Sequence, residues 1–389
     1  MNIPISASRP DFVLPNSTLN GTTFLIRRDY LSKLEWPGLV HVTFPVIIPI
    51  LLILGIIGNS LTIAVLWHKN MQSTTTILLF RSLVITDMAV SLVWSLNGVS
   101  EYYLFQIPEG QSYYLDVVYP CIYIFLLYLI YFFRGVNIWI TVTLCVERFI
   151  YVCVYYKANV ICTKKRITIA LAVIVGFFFV FSIQQLIEFK PVSYPCYGSL
   201  CYINEFTEVG KSFYYSKGPF WFNMLMYNIL PTILLGSLSI PIICKLCTMY
   251  RKRVQMMNTT QSSGTLQRKE TNVTIVLLLI VLFSVLSNLN GPYLVAVYVY
   301  SIYNTSFFYL ICIFNTIVIL NSSINFIIYG IVGIRFRRIL IKMLKQTYYK
   351  ILRKPLPAKV RRATVKEEPA SNDNAIELTS NDTTLYNGI

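Results

Sequence analysis

Nine polar side chains stand inside long apolar runs of this chain: Asn59, Asp87, Arg134, Asn137, Glu147, Arg148, Asn290, Asn321 and Asn325. An ionisable group surrounded by hydrocarbon is costly unless it is paired or faces a polar interior, so such positions mark function. A single carboxylate, Asp87, ringed by amide and hydroxyl oxygens could hold a small hard cation or relay a proton. The adjacent Glu147 and Arg148 could make an ion pair that opens and closes. A lone Asn is as readily interhelical hydrogen-bonding glue. An Asp and two Arg in the same set are harder to account for as glue. Enzyme chemistry lacks material: His41 and His68 are the only histidines, and no zinc-ligand spacing, phosphate loop or nucleophile motif occurs, so the chain reads as no enzyme.

The elements that position these groups follow from composition. The chain has 389 residues, of which 55% are hydrophobic and only 13% charged. A soluble surface needs roughly a quarter charged residues, and a disordered chain would lack this apolar content. The apolar excess must face lipid. Windows of about 20 apolar residues, enough to cross a hydrocarbon core, recur near Phe44–Trp67, Ile77–Ser100, Pro120–Ile150, Ile167–Ile187, Pro219–Met249, Thr271–Tyr300 and Ser306–Val332. They are too long for barrel strands. The predicted fold is an all-α seven-transmembrane helix bundle over 44–332. In the third span Arg134, Asn137, Thr141 and Arg148 recur at steps of three or four, so they share one face, which should point into the bundle.

Net charge is +16, and its distribution predicts orientation. With the N-terminus outside, 23 of the 33 Lys and Arg fall on the cytoplasmic side, in groups at Lys69, 157–166, 245–269 and 335–366. Seven fall outside (Arg9, Arg27, Arg28, Lys33, Lys190, Lys211, Lys217), against nine acidic residues there. The expected location is the plasma membrane, with the C-terminus in the cytoplasm. The basic excess is thus a topology signal that calls for the lipid bilayer and no nucleic acid. Residues 1–43 form the expected extracellular tail, in which no charged n-region precedes an apolar one, and the first span serves as targeting signal. Sequons at Asn16, Asn20 and Asn304 fall on the expected outside and are candidate glycosylation sites. Residues 333–348 alternate basic and apolar side chains at helical spacing, as in an amphipathic helix lying on the cytoplasmic interface. The polar stretch 349–389 reads as a disordered tail whose Thr364, Ser371, Thr379, Ser380, Thr383 and Thr384 could accept phosphate.

Several motifs, in order and on the corresponding spans, resemble the rhodopsin-like (class A) G-protein-coupled receptors. They are Gly58-Asn59, Leu83-Val-Ile-Thr-Asp87, Glu147-Arg148-Phe149, Pro231, Pro292 and Asn321-Ser-Ser-Ile-Asn325-Phe-Ile-Ile-Tyr329. The resemblance covers 44–344. It implies that Arg148 is held by Glu147 at rest and opens toward a heterotrimeric G protein, with Phe149, Asn290, Pro292, Asn325 and Tyr329 in the activation machinery. It also implies a polar pocket of Asp87, Asn137, Asn321, Ser322 and Asn325 able to hold a sodium ion. Arg134, about one turn outward of Asn137, could serve instead as an internal counter-ion for Asp87. Departures are Phe326 where proline is usual, Asn290-Gly-Pro292 where tryptophan usually precedes the proline, Ser239 where span five often has tyrosine, and a fourth span without its usual tryptophan. Within the family the chain most resembles invertebrate, especially nematode, receptors for FMRFamide-like neuropeptides. That likeness rests on Asn325-Phe326, on Glu147-Arg148-Phe149-Ile-Tyr-Val-Cys153 with Lys157-Ala158 and Cys162-Thr163, and on Glu188 closing span four.

The resemblance implies a disulfide from Cys121 to the second outer loop. Cys201 is the favoured partner, because Cys201-Tyr-Ile-Asn is more strand-like than the turn-like sequence around Cys196, the alternative. No cysteine follows Cys312 in this sequence. The implied ligand is a short peptide ending in Arg-Phe-amide, whose arginine needs a carboxylate and whose phenylalanine needs an aromatic slot. Glu101, Glu188 and Glu205 are candidates for the first. Trp94, Tyr102, Tyr103, Tyr123, Tyr293 and Tyr298 are candidates for the second. A phosphorylated tail would add arrestin as a partner. A secondary transporter would need an internal repeat and broken spans in matching positions, which the sequence lacks. A chemosensory receptor of the same fold is the other reading.

Overall fold

The computed structural model describes residues 38–71, 74–107, 111–196, 199–216, 218–257, 278–288, 305–332 and 334–352. Among these, six helices are long and apolar enough to cross a membrane, and Leu278–Asn288 is a shorter apolar one. In chain order α1 is Gly38–Leu66, α2 Thr75–Gln106, α3 Tyr114–Cys153, α4 the short Tyr155–Ile161 and α5 Lys164–Glu188. After a hairpin of β1 (Phe189–Cys196) and β2 (Ser199–Phe206) come α6 (Glu208–Ser216), α7 (Gly218–Met224 continuing to Met257), α8 (Leu278–Asn288), α9 (Thr305–Val332) and α10 (Ile334–Ile351). The helices α1, α2, α3, α5, α7, α8 and α9 are the seven apolar elements of a membrane bundle. The chain divides after Arg337 into the bundle and a C-terminal unit from Arg338 onward. The C-terminal unit opens with most of the basic helix α10, where Arg338, Lys342, Lys345 and Lys350 alternate with apolar residues.

Helix starts are encoded locally. Thr74 and Thr163 each accept a hydrogen bond from the backbone three residues on, at 3.3 Å and 3.4 Å, and so open α2 and α5. Asp116, buried in the first turn of α3, accepts from the Ser112 backbone N–H at 3.2 Å. Three π-helical stretches, Thr43–Ile47, Tyr114–Val118 and Leu225–Ile229, lie at or just before Pro45, Pro120 and Pro231. A proline has no N–H for the usual bond, and a wider turn accommodates the gap.

Inside hydrocarbon, helices associate through close approach at small residues. Gly135 of α3 admits the buried ring of Phe178 of α5, and a Cβ at Gly135 would lie 2.2 Å from it. A Cβ at Gly55 would meet Ser323 Oγ at 2.5 Å, and one at Gly58 would meet Phe326 at 2.9 Å, so α1 and α9 pack along two glycines. Asn59 donates to the Ser322 carbonyl at 3.0 Å across that seam. With Phe326 in place of proline, α9 runs unbroken from Thr305 to Val332.

The segment expected as a long loop after α5 folds as an antiparallel hairpin. Its register pairs Phe189 with Phe206, whose ring centroids are 4.7 Å apart, and Lys190 with Glu205.

Candidate functional site

At the Arg148 end of the bundle, the last turns of α3 meet the first turn of α2. Arg148 donates to Glu147 Oε2 from Nη2 at 2.9 Å and from Nε at 3.2 Å. Thr76 Oγ1 donates to Glu147 Oε1 at 3.0 Å and Oε2 at 3.1 Å and also accepts from Arg148, while Thr75 donates to Oε1. The Arg148 guanidinium lies 5.2 Å over the Tyr151 ring, and both Glu147 and Arg148 are buried. A buried pair is worth keeping only when its spare donors and acceptors are met, and here the two threonines meet them. The arrangement is a closed latch. The Thr74-Thr-Thr76 run that opens α2 carries the missing half of it, one hydroxyl capping the helix and two reaching the carboxylate. Phe149, the third residue of the motif, is half-buried.

Deeper in, Asp87 is 1% exposed, and both its oxygens accept amide hydrogens, from Asn137 at 2.8 Å and from Asn325 at 2.6 Å. The Asn137 amide also reaches Thr86 Oγ1 at 3.0 Å. Three of the five expected pocket residues therefore touch. Asn321 and Ser322 line an adjacent cavity of about 20 Å³ together with Asn137, Arg134, Ser287 and Asn288. Arg134 is not seated on Asp87: it donates to Asn228 Oδ1 at 3.3 Å and lies 5.4 Å over the Trp94 ring. The expected counter-ion role is corrected accordingly, because amides already occupy the carboxylate. Set against a sodium ion, two features oppose it: amide N–H groups face both Asp87 oxygens, and the charged group lining the cavity is a guanidinium. The buried, unpartnered oxygens of Asn288 and Asn321 suit a water as well as a cation.

Tyr329 packs against Phe80 at 5.2 Å and Phe336 at 5.8 Å, and its buried hydroxyl has no hydrogen-bond partner among the described residues. Asn290, Pro292, Tyr293, Tyr298, Asn16, Asn20 and Asn304 lie outside the described residues, as does the tail beyond 352.

Of the expected aromatic set, Trp94, Tyr102, Tyr103 and Tyr123 are linked through two apolar clusters, Trp94 belonging to both. Trp94 faces inward, donating to Asn315 Oδ1 at 2.7 Å. Tyr102 is committed to α1, stacked on Phe44 and hydrogen-bonded to His41 Nδ1 at 2.9 Å, with Tyr103 edge-on to it. Tyr123 meets Phe189 of the hairpin at 6.3 Å. Of the acids, Glu101 is exposed and Glu205 stands opposite Lys190. Glu188, half-buried where α5 meets the hairpin, lies close enough to Tyr131 to interact electrostatically. Among the described residues its carboxylate accepts no hydrogen bond and joins no ion pair.

Cys121 is a free, exposed thiol, whereas Cys201 is buried and disulfide-bonded. The expected Cys121 to Cys201 bridge is therefore corrected: in the first turns of α3 Tyr119 and Pro120 are buried, whereas Cys121 is exposed with a free thiol. Sequence reasoning also missed Thr75, Thr76, Asn228, Asn288 and Asn315. An uncharged amide or hydroxyl within an apolar run signals little until its neighbours are known.

Comparison with known proteins matches residues 46–347 to the serpentine type 7TM GPCR chemoreceptors, Srw. The chain is 27% identical over 303 residues to the FMRFamide receptor of Drosophila melanogaster, covering 76% of this chain and 52% of that protein. It is also 27% identical over 249 residues to the Drosophila melanogaster sex peptide receptor, covering 60% of this chain and 55% of that one. The chain thus spans about half the length of these curated relatives. Both relatives are named as receptors, not enzymes. With apolar helices built to cross a membrane, a polar interior, a buried Glu-Arg latch and a family match over most of its length, the chain belongs to the serpentine seven-transmembrane G-protein-coupled receptor family Srw.

Proposed function

We propose that this chain is a plasma-membrane receptor for a short amidated peptide of the FMRFamide-like class, with its N-terminus outside, and that it activates a heterotrimeric G protein from the Arg148 end. The observation that carries the ligand reading is Glu188, a half-buried carboxylate without an ion-pair partner among the described residues, beside the aromatic contact of Tyr123 with Phe189. An arginine side chain would supply the missing partner through a bidentate, charge-assisted pair. The two peptide-receptor relatives support the same class, and the Lys and Arg asymmetry supports the orientation. Phosphorylation of the tail hydroxyls would recruit arrestin, and Asn16, Asn20 and Asn304 would carry glycans.

A panel of amidated peptides applied to cells expressing the receptor, with a calcium readout, tests the ligand class. Glu188→Gln should then raise the concentration needed for half-activation by an Arg-Phe-amide peptide about tenfold or more, as expected for a charge-assisted hydrogen bond of about 1.5–3 kcal/mol. The citrulline analogue should lose much less. Equal losses for the two peptides would remove Glu188 from the site. The family description favours a second reading, a chemosensory receptor for a small molecule. Silence across the peptide panel with activation by a small volatile or soluble compound would select it.

A further inference from the structure

Helix α7 carries a lipid-facing stripe. Ile233, Ser237, Ile240, Cys244 and Cys247 are all exposed and recur at steps of four and three, the spacing of one helix face. The opposite face is buried: Leu235 and Ile242 are enclosed, and Ser239 meets Cys145 of α3 at 3.9 Å. The two thiols therefore extend the hydrocarbon-facing side of the span at its last turns. Lys245 and Arg251 are exposed beside and below them, and Lys252 and Arg253 follow in sequence. Cys247 stands four residues before Arg251, about 6 Å along the axis at 1.5 Å per residue, which sets it at the hydrocarbon edge where a basic cluster begins.

We propose that Cys244 and Cys247 form a dual S-acylation site on the cytoplasmic end of α7, taking long-chain fatty acyl groups from acyl-coenzyme A. Each cysteine sulfur attacks the thioester carbonyl. A new sulfur–acyl bond forms, the bond to coenzyme A breaks, and the cysteine proton leaves with the coenzyme A thiol. No oxidant or reductant is needed. The acyl chain enters the leaflet alongside the stripe of Ile233 and Ile240, while the basic residues hold the helix end against anionic headgroups. Exposure separates these two from the other cysteines on the same side of the bundle. Cys145 and Cys162 are buried and Cys153 is half-buried. The site rests on the orientation proposed above.

The test uses the full-length chain in cells, with hydroxylamine-dependent exchange of thioesters for a polyethylene-glycol maleimide tag. The expected pattern is two tag steps for the wild type, one for Cys244→Ser or Cys247→Ser, and none for the double variant. The matching alanine variants should behave alike, with surface expression retained. Absence of hydroxylamine-dependent tagging in the wild type, or tagging that persists in the double variant, would overturn the site. A membrane-impermeant maleimide on intact cells separates the two readings. If it reacts at positions 244 and 247 from outside, the orientation fails. Reaction only after permeabilisation, without hydroxylamine dependence, sinks acylation alone.

Discussion

The latch at the Arg148 end turns on four side chains whose hydrogen bonds are mutually satisfying. Arg148→Ala should leave surface expression and peptide binding intact and abolish G-protein signalling, read by calcium release. Unchanged signalling would remove Arg148 from coupling. Thr76→Val deletes a donor to Glu147 and an acceptor for Arg148 while keeping the side chain's shape. Loss of hydrogen bonds to charged groups worth about 1.5–3 kcal/mol should raise ligand-independent signalling about tenfold or more, provided that opening the latch leads to the active state. Basal activity at the wild-type level would show that the threonines only cap α2. Legibility at this scale tracked charge. Asp87, Glu147 and Arg148 stand out in sequence because a charge in an apolar run has few harmless explanations. Thr75, Thr76 and Asn288 do not, since a hydroxyl or amide there is ordinary. Arg134 was legible as important, but its partner was not, because Asn228 lies 94 residues away and only the packing of α3 on α7 brings the two together.

Helix positions followed from apolar run length, and the seams between helices followed from glycine. Gly135→Ala would drive a methyl into the enclosed ring of Phe178 at 2.2 Å, and overpacking of this kind costs about 1–3 kcal/mol. Surface expression should fall sharply, and adding Phe178→Leu should recover part of it. Equal expression of Gly135→Ala and wild type would mean the seam relaxes freely. Near Pro45, Pro120 and Pro231 the helices widen into π stretches without breaking. At Phe326 there is no proline, and α9 continues unbroken through that position. The hairpin after α5 was not read from sequence as a whole. Its alternation is short and interrupted by Pro191 and Pro195, and only β2 carried a strand-like signal. The expected bridge from Cys121 failed for a related reason. At the start of α3 it is Tyr119 and Pro120 that are buried, and Cys121 beside them is exposed.

At the scale of the whole molecule, the asymmetry of Lys and Arg predicts that an epitope tag at the N-terminus will be stained on intact cells and one at the C-terminus only after permeabilisation. The reverse pattern would overturn the orientation and, with it, the assignment of the Arg148 end to the G protein. By itself the sequence determined that this is a helical membrane bundle, roughly where each span lies, and which charged groups had to face inward. Those properties depend on the composition and periodicity of contiguous stretches, where the cost of exposing polar groups to hydrocarbon is decided residue by residue. Only the tertiary structure decided which polar groups meet: that Asp87 is satisfied by Asn137 and Asn325, that Arg134 turns to Asn228 and Trp94, that Glu147 leans on α2, and that Cys121 stays free. Such pairings depend on the rotation of each helix about its own axis. That rotation is fixed by glycine contacts and π turns between segments far apart in the chain, and no single segment encodes it.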